Sequence, residues 1–196
     1  MRCSAVLLAG GKSTRMGCDK ALLDFEGQPL WRRQLNTLHR LSPQQLMIAA
    51  PPREEWSGYE VIADIMANAG PLAGVAGALR RCATSHLVVL AIDLPNMTAD
   101  FLRGLLVECT EEQGIVPCSP AGFEPLAAVY PADCAALAMH LLRRGEYSMQ
   151  QFVQLAIAQG RMCPREIAPN ESELFLNLNT PADYERFRDR EVHPNR

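Results

Sequence analysis

The chain has 196 residues, 48% of them apolar, and a formal net charge of −3, which fits one domain with enough apolar surface for a full core. The acidic balance argues against a nucleic-acid partner, whose footprint would be a basic surface. No run approaches the roughly 18 apolar residues of a membrane helix, and the apolar stretch after Met1-Arg2 is too short for a secretory leader, so a cytoplasmic protein with no membrane partner is expected.

Ala5 to Leu8 is a short apolar run and reads as a buried first strand. It breaks into Gly10-Gly11, where the backbone turns freely and no side chain obstructs a close ligand. Lys12, Arg15 and Lys20 then supply cations, and Ser13 and Thr14 supply hydroxyls. Exposed N–H groups with cations nearby are what a loop wrapped around phosphates needs. A Walker A loop is excluded, because Gly11-Lys12-Ser13 would require glycine where Val6 stands. Gly10, Gly11 and Gly17 do not give the dinucleotide fingerprint either.

Ala21 to Phe25 is apolar and ends at a turn over Glu26 to Pro29, with Pro29 suited to the first turn of a helix. Leu30, Gln34, Leu35, Leu38 and Leu41 follow at helical spacing until Ser42-Pro43. Gln45 to Ala50 is the second strand and Tyr59 to Ile62 the third. Asp64 stands two residues beyond it. Gly70-Pro71-Leu72-Ala73-Gly74 opens a helix placed at Val75 to Cys82, whose start offers free N–H groups to an anion.

Leu87 to Ile92 is the most apolar run and predicts a central parallel strand covered on both faces. It leads into Asp93, on the carboxyl rim where open α/β sheets bind ligands. A carboxylate there suits a hard cation such as Mg²⁺, which also takes phosphate oxygens. Thr98 predicts the cap of a helix over 99–112, with Phe101, Leu102, Leu105, Leu106 and Cys109 inward. A strand over 114–118 and another within 123–130 come next, then a helix over 132–143 with Leu137, Leu141 and Leu142 inward. Ser148 predicts the cap of a helix burying Phe152, Leu155 and Ala156. Residues 161–167 read as an edge strand, because Pro164 would obstruct a central one. Thr180, Pro181 and Asp183 have the order of a helix start. Asn177 and Asn179 alternate around Leu178 and would share one face of an extended segment.

Seven cysteines at irregular gaps give neither a zinc pattern nor a disulfide frame. Strands alternating with helices predict an α/β fold: a single-domain, Rossmann-like, mostly parallel sheet flanked by helices. Residues 190–196 are expected to be a disordered tail.

The string Leu8-Ala9-Gly10-Gly11-Lys12-Ser13-Thr14-Arg15-Met16-Gly17-Cys18-Asp19-Lys20 resembles the signature of the molybdenum cofactor guanylyltransferases, within the nucleotidyltransferase superfamily. The Gly-Pro-Leu-Ala-Gly string, the strand–Asp–x–Pro context of Asp93, Pro125-Leu126-Ala127-Ala128-Val129-Tyr130 and Asn177-Leu178-Asn179-Thr180-Pro181 also match that family's motifs. The resemblance implies the fold of the nucleotide-diphospho-sugar transferases, with residues 1–189 as the nucleotidyltransferase domain. It implies transfer of GMP from GTP to molybdenum-bound molybdopterin with Mg²⁺, and molybdoenzyme apoproteins or their chaperones as candidate receivers. Arg15, Lys20 and Asp93 are then the catalytic candidates, with Asp93 the metal ligand. Leu8, Ala9, Gly10, Gly11, Lys20, Asp64, Gly70 and Asp93 would form the nucleotide pocket, and Asn177 and Asn179 would face the second substrate. The absent side chain of Gly10 is expected to leave room for a purine beside exposed backbone groups. One departure is Ala49, where many members of the family carry Asn. The rival of the same fold is a cytidylyltransferase using CTP, which would carry Leu-Ala-Ala-Gly at the loop. The rival from another class is a non-catalytic nucleotide- or cofactor-binding protein, for which the full set Arg15, Lys20 and Asp93 has no use.

Overall fold

A computed structural model describes residues 2–10, 19–25, 27–63, 65–66 and 68–192, with side chains as far as residue 187. Strand β1 (Ser4–Leu8) is buried along its whole length. The turn Lys20–Leu22 leads into the hairpin β2 (Asp24–Phe25) and β3 (Gln28–Pro29), then α1 (Leu30–His39). Strand β4 (Gln45–Ala49) and β5 (Glu60–Ile62) precede α2 (Pro71–Arg81), and β6 (His86–Ala91) precedes α3 (Ala99–Glu108). Then come β7 (Gly114–Ser119), β8 (Gly122–Phe123), β9 (Ala127–Pro131), α4 (Cys134–Arg143), α5 (Met149–Ala158), β10 (Met162–Glu166) and α6 (Pro181–Val192).

Among the described residues the main sheet has the order β10-β7-β9-β6-β1-β4-β5, with β8 paired to β7. Strands β5, β4, β1 and β6 run parallel, and β9 runs against both β6 and β7. The fold class is therefore the α/β, mostly parallel sheet read from the sequence. Strand β6 is central but has β1 parallel on one side and β9 antiparallel on the other, a pairing that an apolar run cannot reveal. Strand β10 lies at the edge, as Pro164 requires.

Alternate residues of each strand feed two cores, as the two-residue period of a strand demands. Ala5, Leu7, Ile48, Val88 and Leu90 pack with α1, α3 and the C-terminal residues Phe175, Leu178 and Phe187. Val6, Leu8, Met47, Leu87 and Val89 pack with α2, α4 and α5.

The caps follow the sequence reading: the Thr98 hydroxyl accepts from Phe101 N at 3.2 Å and the Ser148 hydroxyl from Gln151 N at 3.3 Å. Four local expectations are corrected. Gln28–Pro29 is the second strand of the β2–β3 hairpin, with the Asp24 carboxylate accepting from Gly27 N at 3.1 Å. Helix α2 starts four residues before Val75, because Pro71 fits a first helical position. Helix α3 stops at Glu108, since Cys109 turns to an extended conformation (ψ 146°). Leu155 is 36% exposed, and Val153 takes its place in the core of α5. No helix among the described residues is long and apolar enough to cross a membrane.

Candidate functional site

The register pairs Leu8 with both Ala49 and Ala91, so β1, β4 and β6 end level at one rim. Beyond the rim Ala9 N and Gly10 N both donate to the Ala49 carbonyl at 3.1 Å, and Ile92 N donates to the Leu8 carbonyl at 3.1 Å. These bonds carry the sheet's order past its last ladder pair and fix where Gly10 and Asp93 stand.

The Asp93 loop is held from three directions. Leu178 N donates to the Asp93 carbonyl at 2.8 Å. From α1, Gln34 Nε2 donates to the Leu94 carbonyl at 2.6 Å and Arg33 Nε to the Pro95 carbonyl at 3.1 Å. Asn96 Nδ2 donates to the Glu173 carbonyl at 3.0 Å. The Asp93 side chain itself stays 27% exposed. Burial pushes its carboxyl above the ordinary value, and the Lys20 ammonium beside it pulls the other way.

Lys20 joins residues far apart in the chain. Its ammonium lies 3.8 Å from Asp93 Oδ2 and donates to Asn179 Oδ1 at 3.1 Å. The side chain is only 17% exposed, so the charge works where solvent screening is reduced. A candidate cation of the glycine-rich segment, the rim carboxylate and a C-terminal asparagine therefore meet at one point.

The turn that carries Lys20 is built by Asp19. Its Oδ1 accepts from Ala21 N at 3.0 Å, and its Oδ2 takes the Arg53 guanidinium. Arg53 in turn lies over the Trp56 ring at 5.0 Å. The sequence reading passed over both Asp19 and Arg53. The Asp19-Lys20 pair stood within the quoted string, but no local pattern shows that residue 53 reaches back to residue 19.

Asn177 and Asn179 are exposed on either side of the buried Leu178, as the alternation predicts. They do not share one partner. Asn179 takes Lys20, whereas Asn177 donates to the Phe175 carbonyl at 3.4 Å. With Leu176, Asp183, Arg186 and Phe187, Asn177 also lines a cavity of about 140 Å³ against α6. Thr180 and Asp183 are the helix start that the sequence implied. Asp183 Oδ2 accepts from Asn179 N, Thr180 N and Thr180 Oγ1 at 3.1, 2.8 and 2.9 Å. The Thr180 hydroxyl first, then the backbone N–H of Asn179, hold that carboxyl below its ordinary value.

One expectation changes, at Gly10, and the departure at Ala49 gains a structural meaning. Gly10 N–H is already donated, and a Cβ on Gly10 would stand 3.5 Å from the Ala49 oxygen and Ala50 Cα. Its missing side chain thus faces the segment after β4, and its N–H is not free to read a base. Ala49 is 3% exposed, and a Cβ on Gly74 would come within 3.2 Å of the Ala49 side chain. Position 49 therefore points into the core under α2, and its methyl offers no polar contact to a nucleoside. Gly70 precedes α2 with φ 63° and ψ −159°, a conformation essentially reserved for glycine. Gly11, Arg15 and Asp64 lie outside the described residues, as do Lys12 and Cys18.

With this geometry established, comparisons with known proteins give it a family. Residues 5–161 match the model of the MobA-like NTP transferase domain. A probable molybdenum cofactor guanylyltransferase of Opitutus terrae is 37% identical over 190 residues, covering 94% of each chain. The molybdenum cofactor guanylyltransferase of Syntrophotalea carbinolica is 31% identical, covering 94% of this chain and 90% of that one. The crystal structure of molybdopterin-guanine dinucleotide biosynthesis protein A from Archaeoglobus fulgidus superposes with a TM-score of 0.76 at 22% identity, covering 96% of this chain and 98% of that one. That last likeness speaks for the fold, and the sequence matches carry the assignment: the chain belongs to the MobA-like NTP transferase domain family.

Proposed function

We propose that this protein transfers GMP from GTP to molybdenum-bound molybdopterin, forming molybdopterin guanine dinucleotide and pyrophosphate. A phosphate oxygen of the pterin attacks the α-phosphorus of GTP, and the bond from that phosphorus to the oxygen it shares with the β-phosphorus breaks, so that this oxygen leaves as a terminal oxygen of pyrophosphate. Both reactants are anions, so the barrier is dominated by repulsion and by charge gathering on the leaving group. Such chemistry calls for positioning and electrostatic stabilisation and for no protein nucleophile.

The observation that carries this reading is the Lys20 ammonium between Asp93 and Asn179. That cation is poorly screened by solvent and stands where the sheet's carboxyl rim and the C-terminal segment converge. Relatives named molybdenum cofactor guanylyltransferase support the choice of substrates. On this reading Lys20 and Arg15 neutralise the triphosphate, while Leu8, Ala9, Gly10, Gly11 and Gly70 line it with backbone. Asp64 helps place the nucleoside, and Asn177 and Asn179 face the pterin. Residues 1–189 act as the one transferase domain, working in the cytoplasm, with molybdoenzyme apoproteins or their chaperones receiving the product.

Among the described residues no three His, Cys, Asp or Glu side chains gather into a metal cage. A single partly buried carboxylate, already drawing an ammonium to itself, is nevertheless a fitting donor set for Mg²⁺, which binds through one or two carboxylates plus substrate phosphates. Asp93 would hold that ion, which when bound neutralises phosphate oxygens. Asp93→Asn keeps the shape and removes the charge. Turnover is expected to fall by about a hundredfold, because charge neutralisation matters most in the transition state. GTP affinity should change by less than about fivefold, since the cations still hold the phosphates. The measurement is turnover and GTP affinity across an Mg²⁺ titration. Wild-type turnover of the variant at low Mg²⁺ would make Asp93 a loop residue only.

A further inference from the structure

We infer that Arg53 is a positioning residue for Lys20, acting through Asp19. The inference rests on the nucleotidyl-transfer reading in assigning Lys20 to the triphosphate. Asp19 is the hinge of the arrangement. One carboxylate oxygen accepts from Ala21 N at 3.0 Å and so closes the turn over Lys20 to Leu22. The other oxygen is held by Arg53. Without Arg53, the carboxylate would be free to leave the turn, and the Lys20 backbone would lose its fixed direction.

Arg53 is itself held on both sides. Its guanidinium lies 5.0 Å from the centre of the Trp56 ring, and that ring is 1% exposed. The stacking orders the guanidinium before it meets Asp19, so little side-chain freedom is lost in making the pair. The same segment after β4 also meets the other described edge of the glycine-rich segment. The Ala49 carbonyl accepts from Gly10 N, and Pro51 lies 3.9 Å from where a Gly10 Cβ would stand. Residues 49–53 therefore hold the chain at Gly10 and again at Asp19. The Lys20 ammonium lies where this fixing leads, between Asp93 and Asn179.

A surface ion pair of this kind would ordinarily contribute little. What separates a positioning role from a bland surface contact is coupling to Lys20, because residues acting through one another give non-additive effects. The test is a double-mutant cycle read as nucleotide affinity by calorimetry, in the full chain with Mg²⁺. Arg53→Ala should weaken binding by about tenfold in the wild-type background and by less than about twofold in Lys20→Ala. Arg53→Lys, which keeps a cation beside Asp19, should return affinity to within about threefold of wild type. Melting temperatures and circular dichroism check the fold. If Arg53→Ala does not fold, Arg53→Gln retains the stem over Trp56 and serves in the same cycle. The cycle is run with whichever of GTP or CTP the wild type binds tighter, so that a failed guanine preference is read apart from a failed coupling. Equal weakening in both backgrounds, or no weakening in either, overturns the role given to Arg53.

Discussion

Lys20 shows how much one side chain can join. An isolated lysine beside a carboxylate at 3.8 Å is a modest interaction, but this one also donates to Asn179, 159 positions further along the chain. His86 is the contrasting case, a fully buried imidazole whose Nδ1 lies 3.0 Å from the Ser85 hydroxyl. Burial pushes its pKa below the ordinary value, opposed in part by the Gln113 backbone and then by Asp133. The unfolded chain therefore takes up a proton first as pH falls. Stability contributed by the neutral ring is intact above the ordinary imidazole pKa of about 6.5 and declines below it. Wild type should lose melting temperature relative to His86→Leu as the pH falls from about 7.5 to 5. Parallel curves across that range would mean that His86 does not titrate on unfolding.

At the scale of elements, α2 begins on a backbone conformation that only glycine holds cheaply. Gly70 has φ 63° and ψ −159°, and no neighbour would touch a Cβ placed there. The penalty of substitution is thus conformational and not steric. Gly70→Ala should cost about 1–3 kcal/mol and lower the melting temperature by roughly 3–10 °C; an unchanged melting temperature would contradict the backbone assignment. Helix starts capped by a side chain are well marked in the sequence because such caps are local, and Thr98 and Ser148 both make the bonds their positions imply; the start of α2, which has no side-chain cap, is not. Ends were less visible, as α3 shows. The β2–β3 hairpin was also hidden, since two-residue strands carry too short a pattern to separate from a turn. Leu155 misled for a related reason. Helical spacing marks a face, but which edge of that face meets the core is set by the neighbouring helix.

For the whole molecule, a parallel array of β5, β4, β1 and β6 brings the end of β1 and the end of β6 to one rim. The C-terminal segment crosses that rim and hands its Leu178 N–H to Asp93. Asp93 could be read from sequence because an apolar run that stops at an acid marks a strand end. Asn179 could be found because it alternated with a core leucine. The Arg53–Asp19 pair could not, since it joins two loops whose approach depends on β4 lying beside β1. That the Gly10 N–H is taken by a carbonyl of the neighbouring strand was hidden for the same reason. Guanine preference therefore rests on the family's motifs more than on Gly10. The most direct measurement incubates the protein with molybdenum-bound molybdopterin, Mg²⁺ and GTP, CTP, ATP or UTP in turn, and assays the dinucleotide and pyrophosphate formed. Guanine dinucleotide and pyrophosphate are expected in equal amounts from GTP, at least about tenfold faster than any product from the other three. Faster formation of cytosine dinucleotide from CTP, or no dinucleotide from any nucleotide, would contradict the proposed transfer.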